Sequence, residues 1–464
     1  MNLCELSALE LARRLHLKEV SAREVVAAHL DRIADRNPRL NAIVTLDADL
    51  AMDRAARADE AFARGAAVGP LHGLPVAHKD LQPTRGMRTT FGSPIFSAFV
   101  PDEDALIVER LRAAGAIAVG KTNTPEFGAG SQTFNTVFGA TLNPYDETKT
   151  CGGSSGGAAA ALAAGMLPIA DGSDMGGSLR NPASFCGVVG LRPSPGRVPA
   201  WPAADGWSTL SVDGPMARTA ADLALMLSAI AGPDSRSPIA LAEPGACFAA
   251  PLGRDFDGVR VAWWTTLGGA PVDRRVRAAV DAERPVFESI GCRVDEAEPD
   301  FTEFDAVFKT LRAVAFLAGV APRIAGRRGD VKETIRWEIA RGERLTSAEI
   351  TWALTTRTAL FDRMRRFMEQ YEFFVLPTVQ VPPFSVEQPY PTEIEGVAMA
   401  TYIDWMQSCY FISVVGNPAI SVPCGFTADG LPIGLQIVAR HRDDWGLLQI
   451  AHAFEIARGP LRAR

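Results

Sequence analysis

Three short segments hold the residue types that acyl chemistry needs. Residues 73–80 read GLPVAHKD, residues 152–157 read GGSSGG and residues 171–180 read DGSDMGGSLR. Glycine lets backbone come close to a ligand and adopt dihedrals closed to other residues. A Gly-Gly-Ser run at a loop-to-helix junction also turns successive N–H groups toward one point, as an oxyanion hole requires. Residues 175–178, MGGS, form such a run, with the Ser178 hydroxyl beside it. A helix and a strand separate Ser154 from Ser178, which would return the chain to the same end of a sheet and let both serines face one cleft. A serine nucleophile needs a base. Histidine is the usual choice, and His78 adjoins Lys79. In an extended segment the two point opposite ways. Lysine serves if desolvation keeps it neutral. Lys121, at the end of another apolar stretch, is the rival base.

Other readings of the glycine loop fail. Gly152-x-Ser154-x-Gly156 fits a nucleophile elbow, which needs a strand before it and a histidine later in the chain. Residues 141–150, TLNPYDETKT, are turn-like, and His441 and His452 lie in ordinary helix or surface segments. A P-loop needs Gly-Lys-Ser/Thr after its glycines, and none follows. A flexible linker would not lead straight into the alanine-rich helix expected over 158–164.

The elements that must position these residues alternate. Capping boxes begin helices at Ser7 and Ser21. Leu74–Ala77 reads as a strand, Asp102–Ala114 as a helix ended by Gly115, Ala116–Gly120 as a strand, and Met166–Ala170 as the strand before the Ser178 loop. Asp213–Arg218 reads as a loop, and Thr219 starts a helix. Residues 235–260 turn to Pro, Ala and Gly, a linker or surface excursion. Val259–Trp264 is a strand, 272–290 a helix, and Thr346 caps a helix to about 370. Phe373–Leu376, Ala419–Val422 and Ile433–Val438 return to strand, the last two joined through Asp429-Gly430. Such alternation means an α/β architecture with a largely buried sheet.

Composition narrows the function. Hydrophobic residues make up 47% and charged residues 22% of 464 residues, with net charge −7. No basic block or arginine stripe with interleaved aromatics occurs, which argues against nucleic acid as a partner. The amino-terminal segment has no apolar core of a signal peptide. The longest apolar run, 158–170, is too short to span a bilayer. Seven cysteines at irregular spacing contain no CxxC pair, so neither a zinc site nor a redox dithiol is expected, and buried free thiols in a cytoplasmic protein are.

Together the segments resemble the amidase signature family. The likeness runs through the helical start, GLPVAHKD, GKTNTPE at 120–126, GGSSGG, SDMGGSLRNP, FCGVVGLRP at 185–193, NPAISVP at 417–423 and GLPIGLQ at 430–436. It implies a Ser–cisSer–Lys triad: Lys79 as base, Ser154 in a cis peptide as bridge, Ser178 as nucleophile. The N–H groups of Met175, Gly176, Gly177 and Ser178 would form the oxyanion hole. It implies one domain over 1–464, a mixed twisted central sheet covered by helices on both faces, with a core over about 60–230 and 400–464 and a more variable lobe over about 235–400. The chain departs from the pattern in His78, Ser173 and Met175, none of which removes a catalytic atom.

The expected function is that of a cofactor-free and metal-free amidohydrolase acting on a neutral small to medium amide, with aryl amides, carbamates, esters and oligoamides chemically close. The expected partner is that small substrate, with no nucleic acid and no membrane, and with a homodimer as an open assembly. A rival is an amidotransferase subunit releasing ammonia from glutamine for a partner that works on charged tRNA. A non-catalytic binding protein is disfavoured by the intact triad residues. Gly128, Ser131 and Ser155 are candidate substrate contacts, the two serines equally candidates for hydrogen bonds within the site, and Phe127, Phe134, Phe138, Trp201 and Trp207 are candidate pocket walls. Loops near 127–138, 200–212 and 377–400 would shape the pocket. Asp174 and Arg180 read as supports of the Ser178 loop.

Overall fold

A computed structural model describes residues 2–460. Its centre is an eight-stranded mixed sheet in the order Arg293–Glu296, Arg260–Trp263, Phe373–Pro377, Pro432–Ala439, Ala419–Phe426, Val189–Arg192, Val212–Ala217 and Ile169–Asp174. The first three strands run parallel, and every later pairing is antiparallel. Strands such as Pro432–Ala439 and Phe373–Pro377 are buried at every position. That is why they read as continuous apolar runs rather than as alternating ones: helices cover both faces. A separate three-stranded sheet holds Ile43–Leu46, Ile117–Thr122 and Pro75–Lys79, the last two parallel. The strands expected in the variable lobe thus join the same sheet as those of the core.

Helix starts follow the capping signals. Ser21 and Thr346 both close capping boxes, on Ala22–Leu40 and Ser347–Gln370. Other boundaries differ from expectation. The 102–114 helix starts only at Leu106, because Ala105 is extended and its N–H bonds to the Pro83 carbonyl. The 272–290 helix is two helices, Arg274–Asp281 and Arg284–Ser289, with Pro285 in the first turn of the second. The strand expected over 166–170 instead runs Ile169–Asp174. The expected loop at 213–218 is its antiparallel neighbour, Val212–Ala217, with Ser173 opposite Asp213. Polar residues enter these two strands because the strand ends meet the glycine loops described below.

Residues 235–260 are no free linker. They are pinned to the core by buried Phe248, Leu252 and Phe256. All seven cysteines are free, but Cys247 is exposed, since it sits on this surface excursion. Among the described residues, no helix is long and apolar enough to cross a membrane.

Candidate active site

Lys79 ends the strand Pro75–Lys79, with Thr122 as its parallel partner. Its side chain is completely buried. Nζ lies 2.8 Å from Ser154 Oγ, 2.9 Å from Ser155 Oγ and 3.0 Å from Ser173 Oγ. No carboxylate makes an ion pair with it among the described residues. Burial lowers its pKa from 10.5 to about 7, against the opposing pull of Asp213, Asp174 and Asp171. A neutral amine has a lone pair to fill, and any of the three hydroxyls can donate to it.

His78 points the other way, as the strand's alternation requires. Its Nδ1 lies 2.5 Å from Asp171 Oδ2, and Asp171 Oδ1 accepts the Lys79 N–H at 2.8 Å. Lys121 is also buried, and its pKa is lowered by burial to about 8. Its Nζ contacts the Gln82 carbonyl at 2.5 Å and Thr84 Oγ1 at 2.8 Å, so neither rival base reaches the serines.

The Gly153–Ser154 peptide is cis. The two serine loops are joined at the backbone, where the Ser155 N–H donates to the Ser178 carbonyl at 3.1 Å. The Ser178 loop leaves Asp174, the last residue of its strand, and is fastened by that carboxylate. Asp174 Oδ1 accepts the Gly177 N–H at 2.9 Å, and Oδ2 accepts the Leu179 N–H at 3.1 Å. Arg180 grips it with Nε at 3.0 Å and a terminal nitrogen at 2.9 Å, and Arg192 adds a contact at 3.2 Å. All three side chains are fully buried. Burial by itself would raise the Asp174 carboxyl, but the two guanidiniums outweigh it and hold it well below the usual carboxylate range. Gly177 has φ +120°, and a Cβ there would lie 2.6 Å from the Cys409 Cβ, so the loop's path depends on glycine.

Ser154 and Ser178 share the wall of one cavity of about 100 Å³ with Ser173, Met175, Gly176 and Gly128. Gly128 has φ +68°, and a Cβ on it would approach Ser154 Oγ to 3.5 Å. The N–H groups of Met175, Gly176 and Ser178 have no hydrogen-bond partner among the described residues, which leaves them free to hold an oxygen in the cavity. The expected set of oxyanion donors needs correction at Gly177, because its N–H is already taken by Asp174. Ser131 and Ser155 are not in the cavity wall either. Ser131 Oγ accepts from Asn181 at 3.0 Å, and Ser155 is spent on Lys79 and on the backbone of Ser173.

Of the expected aromatic walls, Phe127 lines this cavity and Phe134 a neighbouring one of about 470 Å³. Phe138 and Trp201 stack under Arg88 and Arg236, and Trp207 is exposed. Sequence reasoning missed Leu81, Arg312, Phe316 and Met406, which with Gly130 and Ser211 complete the small cavity. Arg312 and Phe316 lie on the helix Phe304–Gly319, whose apolar periodicity reads as core. The available signal was a lone arginine in that apolar stretch.

Residues 24–448 match the Amidase family. The chain belongs to the amidase signature family. This amidase is 37% identical to the acylamidase of Rhodococcus erythropolis over 98% of its own length and 96% of the relative's. It is also 37% identical to a glutamyl-tRNA(Gln) amidotransferase subunit of Synechococcus sp. (strain CC9605), over 96% and 95%. Among solved structures, a bacterial aryl acylamidase of the same family superposes with a TM-score of 0.91 at 28% identity, covering 97% of this chain and 96% of that one. A 6-aminohexanoate cyclic dimer hydrolase complexed with substrate gives 0.89 at 28%, with 98% of each covered. Family membership makes this amidase a hydrolase acting on amides.

Proposed function

We propose that the protein is a serine amidohydrolase that cleaves a neutral amide through an acyl-enzyme on Ser178. The observation that carries the reading is Lys79: a fully buried amine, lowered to about 7, hydrogen-bonded to Ser154 in the cavity that Ser178 lines. Neutral Lys79 takes a proton from Ser154, and Ser154 takes one from Ser178 as its Oγ attacks the carbonyl. The free N–H groups of Met175, Gly176 and Ser178 hold the developing oxyanion. The proton returns through Ser154 to the leaving amine, and water activated by the same relay then hydrolyses the ester.

The acylamidase and aryl acylamidase likenesses support small acylated amines, anilides included, as substrates. Carbamates, esters and oligoamides fall within the same acyl-enzyme chemistry. The substrate is the only partner this reading requires. The amidotransferase relatives favour a second reading, glutamine hydrolysis for a partner protein. One assay separates the two: the isolated chain against p-nitroanilides, primary amides, carbamates and esters. Turnover of an anilide without any partner is expected. Ser178→Ala should lower it at least about a thousandfold with an unchanged melting temperature. A folded variant keeping more than that would remove Ser178 as the nucleophile.

A further inference from the structure

One buried network at the cavity is unused by this mechanism. Arg312, on the helix Phe304–Gly319, lines the small cavity together with Ser154 and Ser178 and is 4% exposed. Its Nε donates to Glu338 Oε1 at 2.7 Å, and one terminal nitrogen donates to the Tyr402 hydroxyl at 2.8 Å. Tyr402 in turn donates to the same Glu338 oxygen at 2.7 Å. Among the described residues the other terminal nitrogen reaches only Met175 Sδ, at 3.5 Å. A thioether is a weak acceptor. The rings of Phe316 and Tyr402 flank the guanidinium at 4.7 and 5.7 Å.

An arginine carries five N–H donors in a fixed fork. Three are engaged here, so one on each terminal nitrogen has no partner among the described residues. Glu338 Oε2 is likewise buried without a partner. Buried polar groups are paired as a rule, and an exception beside a cavity calls for a partner there, a water or a ligand group. Tyr402 and Gly130 also line the 470 Å³ cavity, where Phe134, Trp337 and Tyr390 provide an apolar wall. The network therefore stands between the reaction cavity, which Arg312 lines, and an aromatic one that Tyr402 lines and that shares Gly130 with the first.

We infer that Arg312 is a specificity-determining residue that selects substrates whose acyl part carries a second, neutral acceptor oxygen ahead of an apolar tail. The guanidinium touches Met175, whose N–H is one of those that would hold the scissile oxygen, and of the substituents on that carbonyl the acyl chain is the one that stays on Ser178 through both steps. A neutral acceptor is indicated because Glu338 already balances the arginine, and its unpaired Oε2 would repel a carboxylate. The inference rests on the serine amidase reading above.

The test uses three p-nitroanilides of matched length: 4-oxopentanoyl, pentanoyl and 3-carboxypropanoyl. The wild type should prefer the ketone over the plain acyl chain by about tenfold in kcat/KM, the worth of one charge-assisted hydrogen bond, and should disfavour the carboxylate. In Arg312→Met that ratio should fall toward one, mostly through KM. Arg312→Lys and Tyr402→Phe should lower it in part, since the first loses the fork and the second its anchor. These two variants decide the matter by the same ratio if Arg312→Met does not fold. A wild type that turns over the anilides without preference, a preference for the carboxylate, or a ratio unchanged in the folded variants overturns the role of Arg312 alone. A wild type inactive on all three overturns the role of Arg312, and one inactive on the whole panel of anilides, primary amides, carbamates and esters overturns the serine amidase reading with it.

Discussion

Lys79 works as a base only when neutral, and its burial places that change near pH 7. The protonated form dominates below this value, so the rate should fall about tenfold for each pH unit below it and level off above it. The profile of kcat/KM from pH 5 to 10 reads this directly, and an optimum in acid would exclude a lysine base. The side chain's identity gives a second check. Arginine keeps the positive charge but cannot lose its proton under working conditions. Lys79→Arg and Lys79→Ala should both lose at least about 100-fold, the low end for a positioned general base. An arginine variant within tenfold of the wild type would mean that Lys79 supplies charge rather than proton transfer.

At the scale of elements, the strand Ile169–Asp174 and the loop after it stand or fall with one carboxylate. Asp174→Ala leaves Arg180 and Arg192 buried without their counter-charge and frees the Gly177 and Leu179 N–H groups. Breaking a buried pair from one side costs about 3–5 kcal/mol, so the melting temperature should drop sharply and activity with it. The pH dependence has a definite sign. The Asp174 carboxyl is held below its unfolded value, so its contribution is present in full above about pH 4 and is lost as pH falls through the folded value. A denaturation series of wild type and Asp174→Ala should therefore converge in acid. The glycine loops and Lys79 were legible in sequence because each residue type has a narrow physical use. The strand Val212–Ala217 was not, because Asp213 and Gly214 break an apolar pattern for the sake of the site. Ser131 and Ser155 carried the right chemistry in the right loops, yet local sequence does not tell a hydroxyl facing a cavity from one turned to a neighbouring side chain. Arg312 lies far along the chain from the loops it meets, and only the packing of the helix Phe304–Gly319 brings it to Met175.

On the scale of the whole molecule, the central sheet joins two sets of strands that are far apart in sequence. Ile169–Asp174, Val189–Arg192 and Val212–Ala217 make one flank, and Arg260–Trp263, Arg293–Glu296 and Phe373–Pro377 the other. The hairpin Ala419–Phe426 with Pro432–Ala439 lies between them, pairing with Val189–Arg192 on one side and Phe373–Pro377 on the other. A strand in the middle of a sheet satisfies hydrogen bonds on both edges, and these two are nearly all buried.

The position of that hairpin has a consequence for biosynthesis. A ribosome makes both flanks before it makes the piece that unites them. Until residue 439 has emerged, each flank presents an unpaired apolar edge, which is a template for wrong pairing. Pairing over such separations is also intrinsically slow. A nascent chain arrested near residue 410 should therefore be protease-sensitive and prone to aggregate throughout, rather than half folded. Release of the remaining residues should bring protection to both flanks in a single step. Pulse proteolysis of stalled and released chains measures this. A stable folded fragment ending at residue 410 would show that one flank closes without its centre.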